Sequence, residues 1–170
     1  MNKVSLGDLV SIQTGKLDAN ASSPDGAYPF FTCAREPLRI RNWKYDLDAI
    51  LVAGNGDLNV KHYVGKFDAY QRTYILSPKN AELVCTRYLY YFMDKYLDRL
   101  REQSIGGIIK YIKIGMLTEA QVPLPAFSEQ KRIAAILDQA DGIKGMHLEG
   151  AAKADDLVKA LVYQALRGEL

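Results

Sequence analysis

The last third of the chain has a heptad pattern of hydrophobic residues. Apolar or small residues recur from Ile133 to Leu161 after alternating steps of three and four, which places them in one stripe along a helix that faces a partner helix. Pro125 is the last proline of the chain, so no proline interrupts a helix after it. The pattern predicts a spacer and dimerisation helix over residues 128–170. Its predicted seam consists of Ile133, Ile136, Ile143, Leu157 and Leu161.

The centre of this predicted helix is weak. His147 and Gly150 occupy the heptad positions there, and Gly142 and Gly145 lie nearby. Each interior glycine costs a helix about 1 kcal/mol relative to alanine. Two interpretations therefore stay open. Either one helix is supported by a partner helix along its length, or two shorter helices separate within 142–150 and fold back on each other.

The first 127 residues alternate short apolar runs with turn signals. Ala49–Ala53 is an unbroken apolar run followed by the turn sequence Gly54-Asn55-Gly56-Asp57, so we expect a buried strand there. Between Cys85 and Ser104, apolar residues recur at helical spacing, which predicts an amphipathic helix. The fold class is therefore α+β, with a globular mixed α/β domain over 1–127 and a long carboxy-terminal helix. Further strands are expected within 4–15 (continuing into a helical turn), 28–32, 60–64, 73–76 and 108–114.

The composition agrees with a folded soluble protein. The chain has 170 residues, of which 48% are hydrophobic, and a formal net charge of +2, so it has room for one domain and an extension. Its two cysteines and two histidines have no metal-ligand spacing. Free cysteines are typical of a reduced, cytoplasmic protein, and no apolar run is long enough to span a membrane.

The sequence also lacks the motifs of common enzymes. The segment Gly54-Asn55-Gly56 has neither the third glycine nor the following helix of a phosphate-binding loop. No serine or cysteine has a recognisable base partner for nucleophilic catalysis. The Asp/Asn-Pro-Pro-aromatic tetrapeptide that holds a target amine in amino-methyltransferases is absent. We therefore predict a non-catalytic protein that binds no metal or cofactor of its own.

Basic, amide and aromatic side chains cluster at the predicted turns, a mixture that suits DNA. Lysine and arginine neutralise phosphates, while arginine, asparagine and glutamine form paired hydrogen bonds with base edges. For any one of these residues alone, a solvated surface position is the simpler interpretation. Lys110, Tyr111 and Lys113 form a further cluster of this kind. The candidate DNA-binding residues are Arg35, Arg39, Arg41, Asn55, Asn59, Lys61, His62, Lys66, Gln71 and Arg72.

Several stretches of the chain resemble one known family. Residues 28–32, 49–56 and 65–74 resemble a target recognition domain, and Val122-Pro123-Leu124-Pro125 followed by 129–138 resembles the start of a long spacer helix. The family is the specificity (S) subunit of type I restriction–modification systems. The segments 4–9 and 167–170 also fit it.

This resemblance implies a subunit that recognises a DNA sequence and performs no chemistry itself. In that family the specificity subunit brings a DNA adenine methyltransferase (modification) subunit to one site, and in some assemblies a translocating restriction subunit as well. S-adenosylmethionine and the methylating residues belong to the modification partner. The expected partners are therefore double-stranded DNA and these subunits.

The chain differs from the usual family member in having one recognition domain and one spacer helix rather than two of each. We therefore expect a homodimer held by an antiparallel coiled coil. A helix of about 38 residues rises about 57 Å, so two recognition domains would lie at opposite ends of the rod. A two-fold pair reads inverted half-sites, which predicts an interrupted palindrome as the target.

Two other interpretations remain at this point. The chain could be a non-catalytic interaction module in which the helix mediates assembly and the globular domain binds protein. It could also be a fragment of a truncated gene with no activity of its own. Binding to DNA that weakens steeply with salt would favour the recognition subunit over the interaction module.

Overall fold

The computed structural model describes residues 2–166, with side chains described for residues 2–159. The helices are α1 (Leu6–Leu9), α2 (Thr86–Gln103), α3 (Ile114–Thr118) and α4 (Phe127–Leu166), and a short 3-10 turn covers Ala19–Ala21. The strands are β1 (Lys3–Ser5), β2 (Val10–Thr14), β3 (Tyr28–Phe31), β4 (Leu38–Ile40), β5 (Tyr45–Ala53), β6 (Val60–Ala69), β7 (Thr73–Pro78) and β8 (Gln121–Pro123).

Six strands form one sheet in the order β2-β7-β5-β6-β3-β4. β3 pairs with β6 in parallel, whereas the other neighbours in this sheet are antiparallel. The predicted buried strand at 49–53 is confirmed as the second half of β5, where every side chain is buried. A continuous apolar run suits this position because β5 lies between two other strands and is covered on both faces.

An aromatic cluster fills one face of the sheet. The ring of Phe67 lies 5.5 Å from that of Phe31 and 5.4 Å from that of Tyr45, centre to centre, and Leu51 and Ile75 pack in the same cluster. Such offset and edge-to-face pairs add to the hydrophobic effect of burial. The cluster fixes how β3, β5, β6 and β7 lie relative to one another.

The predicted amphipathic helix is confirmed as α2, which packs on β5 and β6. Its buried stripe contains Leu89, Met93, Leu97 and Leu100. These residues recur at steps of three and four, so they share one face of the helix. The globular domain therefore has a helix layer on one side of a mixed sheet, as an α+β fold requires.

The amino-terminal strand lies beside the segment that precedes α4. β1 pairs antiparallel with β8, with Lys3 opposite Pro123 and Ser5 opposite Gln121. The Leu124 amide donates to the carbonyl of Asn2 at 3.0 Å, which extends this pairing by one bond. The segment Val122-Pro123-Leu124-Pro125 noted in the sequence thus begins in a strand of a two-stranded sheet.

The predicted strand over 108–114 is wrong. Residues 107–109 form a bend and α3 begins at Ile114. The β-branched isoleucines resemble a strand sequence, but Ile108 and Ile109 are exposed and only an isolated bridge joins Ile105 to Tyr111. Alternating burial, which makes a β-branched run a strand, is missing here.

The strand predicted at 60–64 is longer than expected. β6 continues through Gly65 to Ala69, and Gly65 has a φ of 125°, a backbone conformation that other residues rarely adopt. A glycine that normally marks a turn here allows a long strand to bend and continue. β4 and β8 were not predicted from the sequence.

The chain divides into two compact units, Met1–Arg132 and Ile133–Leu170. The first unit contains the sheet and the first residues of α4. The second unit is helical through Leu166 without a break, so the alternative of two shorter helices is wrong. None of the helices that the structure describes is both long and apolar enough to cross a bilayer.

The described seam residues of α4 are accessible. Ile136, Ile143 and Leu157 are each at least half exposed, and Ile133 is partly buried. The side chain of Leu161 and the segment 167–170 lie outside the described residues. The pairing of this seam with a second helix stays a prediction.

Candidate functional site

Four loops of the first unit meet at one edge of the large sheet. The Gly54 amide donates to the Arg72 carbonyl at 2.8 Å, and the Gly56 amide donates to the Lys110 carbonyl at 2.9 Å. The Ile112 amide in turn donates to the Gly54 carbonyl at 2.9 Å. We call this surface the loop edge, and it comprises residues 32–37, 54–59, 70–72 and 105–112.

Glycine is required at position 54 of this edge. A Cβ atom on Gly54 would lie 2.4 Å from the carbonyl oxygen of Arg72, which is far inside van der Waals contact. The two loops therefore approach each other backbone to backbone. This close approach explains the glycine of the turn sequence noted above, and it fixes the separation of the side chains on either side.

Asn59 holds the loop edge together from inside. It is 6% exposed, and its Nδ2 donates to the carbonyl oxygens of Cys33 and Asp57, both at 2.8 Å. Its Oδ1 accepts a hydrogen bond from the ammonium of Lys61. A buried amide with these partners is already satisfied, so the observed position of Asn59 is that of a support for the loops.

Lys61 and Cys33 contact Asn59 and Asn55, and together with Asn59 we call them the supporting layer of the loop edge. Burial of the Lys61 side chain lowers the pKa of its ammonium group below the ordinary value, because desolvation disfavours the charged form. The Cys33 thiol donates to Oδ1 of Asn55 at 2.9 Å and thereby orients an amide that is partly exposed. The supporting layer therefore positions Asn55, one of the residues expected to contact DNA.

Exposed cations lie around this layer. Arg35 donates from Nε to Oδ2 of Asp57 at 2.8 Å, with both side chains mostly exposed. An exposed ion pair of this kind is worth about 0–1 kcal/mol, so a phosphate can compete with Asp57 for Arg35. Arg72 and Lys110 are also exposed. The loop edge therefore presents three side chains able to bind an anion.

Amide and aromatic groups surround a small cavity at the same edge. It has a volume of about 130 Å³. Gln71 donates from Nε2 to Oδ1 of Asp18 at 2.7 Å on the exposed side. Asn55 forms an isolated antiparallel bridge with Tyr111. The residues lining the cavity include Asn55, Gln71, Arg72, Tyr74 and Tyr111.

On β6 and around β4, away from the loop edge, lie three further candidate DNA-binding residues, Arg39, Arg41 and Lys66. Arg39 donates from Nε to the Gly26 carbonyl at 2.9 Å, and Arg41 forms a 2.8 Å ion pair with Asp25. The Lys66 ammonium lies 4.6 Å from the centre of the Trp43 ring, a cation–π contact. Their contact with DNA stays a prediction, separate from that of the loop edge.

His62 lies on β6 and faces α2. Its Nε2 is 2.8 Å from Oδ1 of Asp48, and its ring centre is 6.1 Å from that of Tyr90 on α2. Nδ1 lies 3.5 Å from a guanidinium nitrogen of Arg87. The structure thus groups Arg35, Asn55, Asn59, Lys61, Gln71 and Arg72 at one edge and leaves His62 in a different environment.

The contribution of the 105–112 loop was only partly predictable from the sequence. Lys110 and Tyr111 were predicted to belong to a polar cluster, but the preceding isoleucines were predicted to form a strand. The feature that identifies this segment as a loop is the Gly106-Gly107 pair directly before two isoleucines and a lysine, since paired glycines are typical of a turn. The loop belongs to the site because Lys110 and Ile112 are bonded to Gly56 and Gly54.

Sequence comparisons connect this arrangement with known proteins. A family described as type I restriction modification DNA specificity domain matches residues 1–149. The chain is 47% identical over 135 residues to the type I restriction enzyme EcoDI specificity subunit of Escherichia coli, which covers 79% of this chain and 30% of that protein. It is 24% identical over 153 residues to the MjaVIII specificity subunit of Methanocaldococcus jannaschii, covering 84% of this chain and 36% of that protein. The chain therefore spans about a third of these curated relatives.

Solved structures share the fold. The S subunit of a type I restriction–modification system from M. genitalium superimposes with a TM-score of 0.74 at 21% identity, over 83% of this chain and 39% of that one. The HsdS subunit from Thermoanaerobacter tengcongensis superimposes with a TM-score of 0.67 at 19% identity, over 99% of this chain and 45% of that one. At these identities the likeness concerns the fold alone.

Proposed function

We propose that this chain, which belongs to the family of type I restriction–modification DNA specificity domains, recognises a DNA sequence. It does so for a restriction–modification system of that type. Residues 1–127 are the target recognition domain and residues 128–170 the spacer helix. Double-stranded DNA binds across the loop edge. The observation that carries this proposal is the convergence of four loops whose cations and amides face solvent together.

The chemistry of the loop edge suits both parts of DNA recognition. Arg35, Arg72 and Lys110 are exposed cations that neutralise phosphates, which supplies affinity. Asn55 and Gln71 carry amides that donate and accept, as paired contacts with adenine require. Because the Cys33 thiol orients the Asn55 amide, that side chain is prepared for one arrangement of partners before DNA binds.

The spacer helix pairs with that of a second copy in the proposal. Ile136, Ile143 and Leu157 form a stripe that is accessible in the single chain, and burying apolar area is the main driving force of association. The 40 residues of α4 correspond to a rod of about 60 Å. An antiparallel pair of such helices separates two identical recognition domains.

The proposed partners follow from the family. The relatives are named as specificity subunits of type I restriction enzymes, and a specificity subunit needs a partner that performs the chemistry. We assign to this chain an adenine-methylating modification subunit as partner, with S-adenosylmethionine bound by that partner, and a restriction subunit in complexes that cleave. The chain itself positions these subunits on DNA in the cytoplasm.

Methylation mapping tests the proposed function and the dimer together. The chain is expressed with its modification subunit in a host that lacks other adenine methyltransferases, and modified adenines are located by single-molecule sequencing. We expect an interrupted palindrome, because a two-fold dimer reads the same half-site twice in inverted order. A host expressing the modification subunit alone is the control. An asymmetric or continuous motif would contradict the dimer, and unchanged methylation would contradict the function.

Replacing Arg72 by alanine should weaken DNA binding. We expect the affinity for a duplex carrying the mapped motif to fall about 5- to 10-fold, and the slope of log affinity against log salt to decrease by about 1, because one phosphate contact is lost. Fluorescence anisotropy at several salt concentrations measures both quantities. The matched control is Arg132→Ala, which removes an exposed arginine bonded to Glu129 outside the loop edge. Equal losses in both variants would show a general charge effect and contradict the assigned contact.

A further inference from the structure

The 105–111 loop has a backbone that is closed and held in one shape. Ile105 and Tyr111 exchange two backbone hydrogen bonds, of 2.9 and 2.8 Å, so the ends of the loop are joined. Gly106 has a φ of 115°, and a Cβ atom there would lie 2.5 Å from the carbonyl oxygen of Ile109. The loop therefore turns sharply and projects the residues at its tip.

The tip of this loop is apolar and faces solvent. Ile108 is fully exposed and Ile109 is 64% exposed. A single exposed apolar residue is common on protein surfaces. Two adjacent isoleucines at the tip of a tightly closed loop are a different case, because folding buries neither side chain. Contact with another molecule would remove both from water.

The surroundings of the tip indicate the chemistry of that molecule. Lys110 follows the isoleucines directly and Lys113 lies three residues further, and both are exposed. Arg101 of α2 donates to the carbonyl of Leu58 at 2.9 Å, next to the 54–59 loop, and keeps much of its side chain accessible. The partner is therefore negatively charged around a region that accepts apolar groups. Stacked base pairs between phosphates have this arrangement.

Continuity with the loop edge selects DNA over an acidic protein surface. The Lys110 carbonyl accepts a hydrogen bond from Gly56, and Tyr111 lines the same cavity as Asn55 and Arg72. A duplex lying across those residues reaches the base of the 105–111 loop. The isoleucine tip therefore belongs to the same surface as the residues proposed to contact DNA.

We infer that Ile108 and Ile109 form an apolar wedge that inserts into a groove of the bound DNA and unstacks one base step. This inference rests on the proposed function. Side chains of this type partially unstack base pairs and kink the duplex. Lys110 and Lys113 bind the phosphates on either side of the opened step. The wedge also contributes specificity without base contacts, because steps differ in how readily they unstack.

The test uses the full chain in complex with its modification subunit and a duplex carrying the mapped motif. The fluorescent base 2-aminopurine is placed in turn at positions other than the methylated adenine, so that base extrusion by the methyltransferase does not contribute. We expect fluorescence to increase several-fold at one step on binding. In the variant Ile108→Ser/Ile109→Ser this increase should disappear and affinity should fall about 10-fold or more, with the salt slope unchanged because no phosphate contact is removed.

Two further variants make the result specific. Leu83→Ser removes an apolar side chain of the first unit that is about as exposed as Ile109 and lies outside the loop edge, and it should change neither signal. Ile108→Leu/Ile109→Leu keeps the apolar tip and should retain both signals, which shows that the loss in the serine variant depends on the apolar character of the tip. Unchanged fluorescence and affinity in the serine variant would overturn the wedge. So would loss of assembly with the modification subunit while DNA binding persists, which would indicate a protein partner. Absence of salt-dependent DNA binding by the wild-type complex would instead refute the proposed function.

Discussion

Replacing Ile136 and Leu157 together by aspartate is expected to convert a dimer into monomers. Both side chains lie on the predicted seam and are exposed in the single chain, so the substitution leaves the fold of the chain intact. In an antiparallel pair each aspartate would lie in the apolar seam, and placing a charge there is strongly unfavourable. We expect the dissociation constant to rise at least about 100-fold, which corresponds to about 3 kcal/mol.

The control for this experiment lies on the same helix. Leu148 is also exposed, but at 3.6 residues per turn it lies about 120° around the helix from Ile136. Leu148→Asp introduces one such charge, with the same loss of helix propensity as Leu157→Asp alone, and should leave the dimer intact. Light scattering over a range of protein concentrations measures the mass of each variant. A double variant with the mass of a dimer, or a Leu148 variant that dissociates equally, would refute the assigned seam.

Gln130→Leu is expected to destabilise the first unit severely. Gln130 is 1% exposed, and its Oε1 accepts from the Cys85 amide at 2.9 Å. Its Nε2 donates to the carbonyl oxygens of Leu83 and Pro125 at 3.0 and 2.9 Å. Leucine fills a similar volume but cannot form these three hydrogen bonds. Each buried backbone group left without a partner costs about 1–3 kcal/mol. We expect a loss of about 3 kcal/mol or more in the free energy of unfolding.

Thermal unfolding followed by circular dichroism measures this effect. For a chain of this size, 3 kcal/mol corresponds to a decrease in Tm of roughly 6–12 °C. Gln103→Leu makes the same change at an exposed position at the end of α2 and should shift Tm by less than about 2 °C. A Gln130 variant as stable as the Gln103 variant would show that the three hydrogen bonds contribute little.

Local patterns were sufficient to predict much of the fold. The apolar run at 49–53 predicted a buried strand because a central strand needs apolar residues on both faces. The stripe along 85–104 predicted α2 because helical spacing leaves one face for the sheet. A proline segment followed by a proline-free heptad pattern predicted a long terminal helix. In each case the information lies within the segment itself.

The candidate site depends on distant residues and was only partly predictable. The loops meet because β5 pairs with β7 so that Ala53 lies opposite Thr73, and nothing near Arg72 in the sequence specifies this register. Composition marked Asn59 as a base reader, whereas long-range hydrogen bonds place it in the supporting layer. The isoleucines at 108 and 109 read as a strand because β-branched residues favour one. Only the position of neighbouring strands decides between a strand and a loop.

The pairing of β1 with β8 has a consequence for how the globular domain can be replaced. Residues 3–5 and 121–123 run side by side, so the backbone enters and leaves this domain at neighbouring points. A segment with adjacent ends can be replaced by another with the same ends without disturbing what precedes or follows it. The globular domain can therefore be exchanged as a unit, and under the proposed function such an exchange would give the same scaffold a new DNA target in a single step.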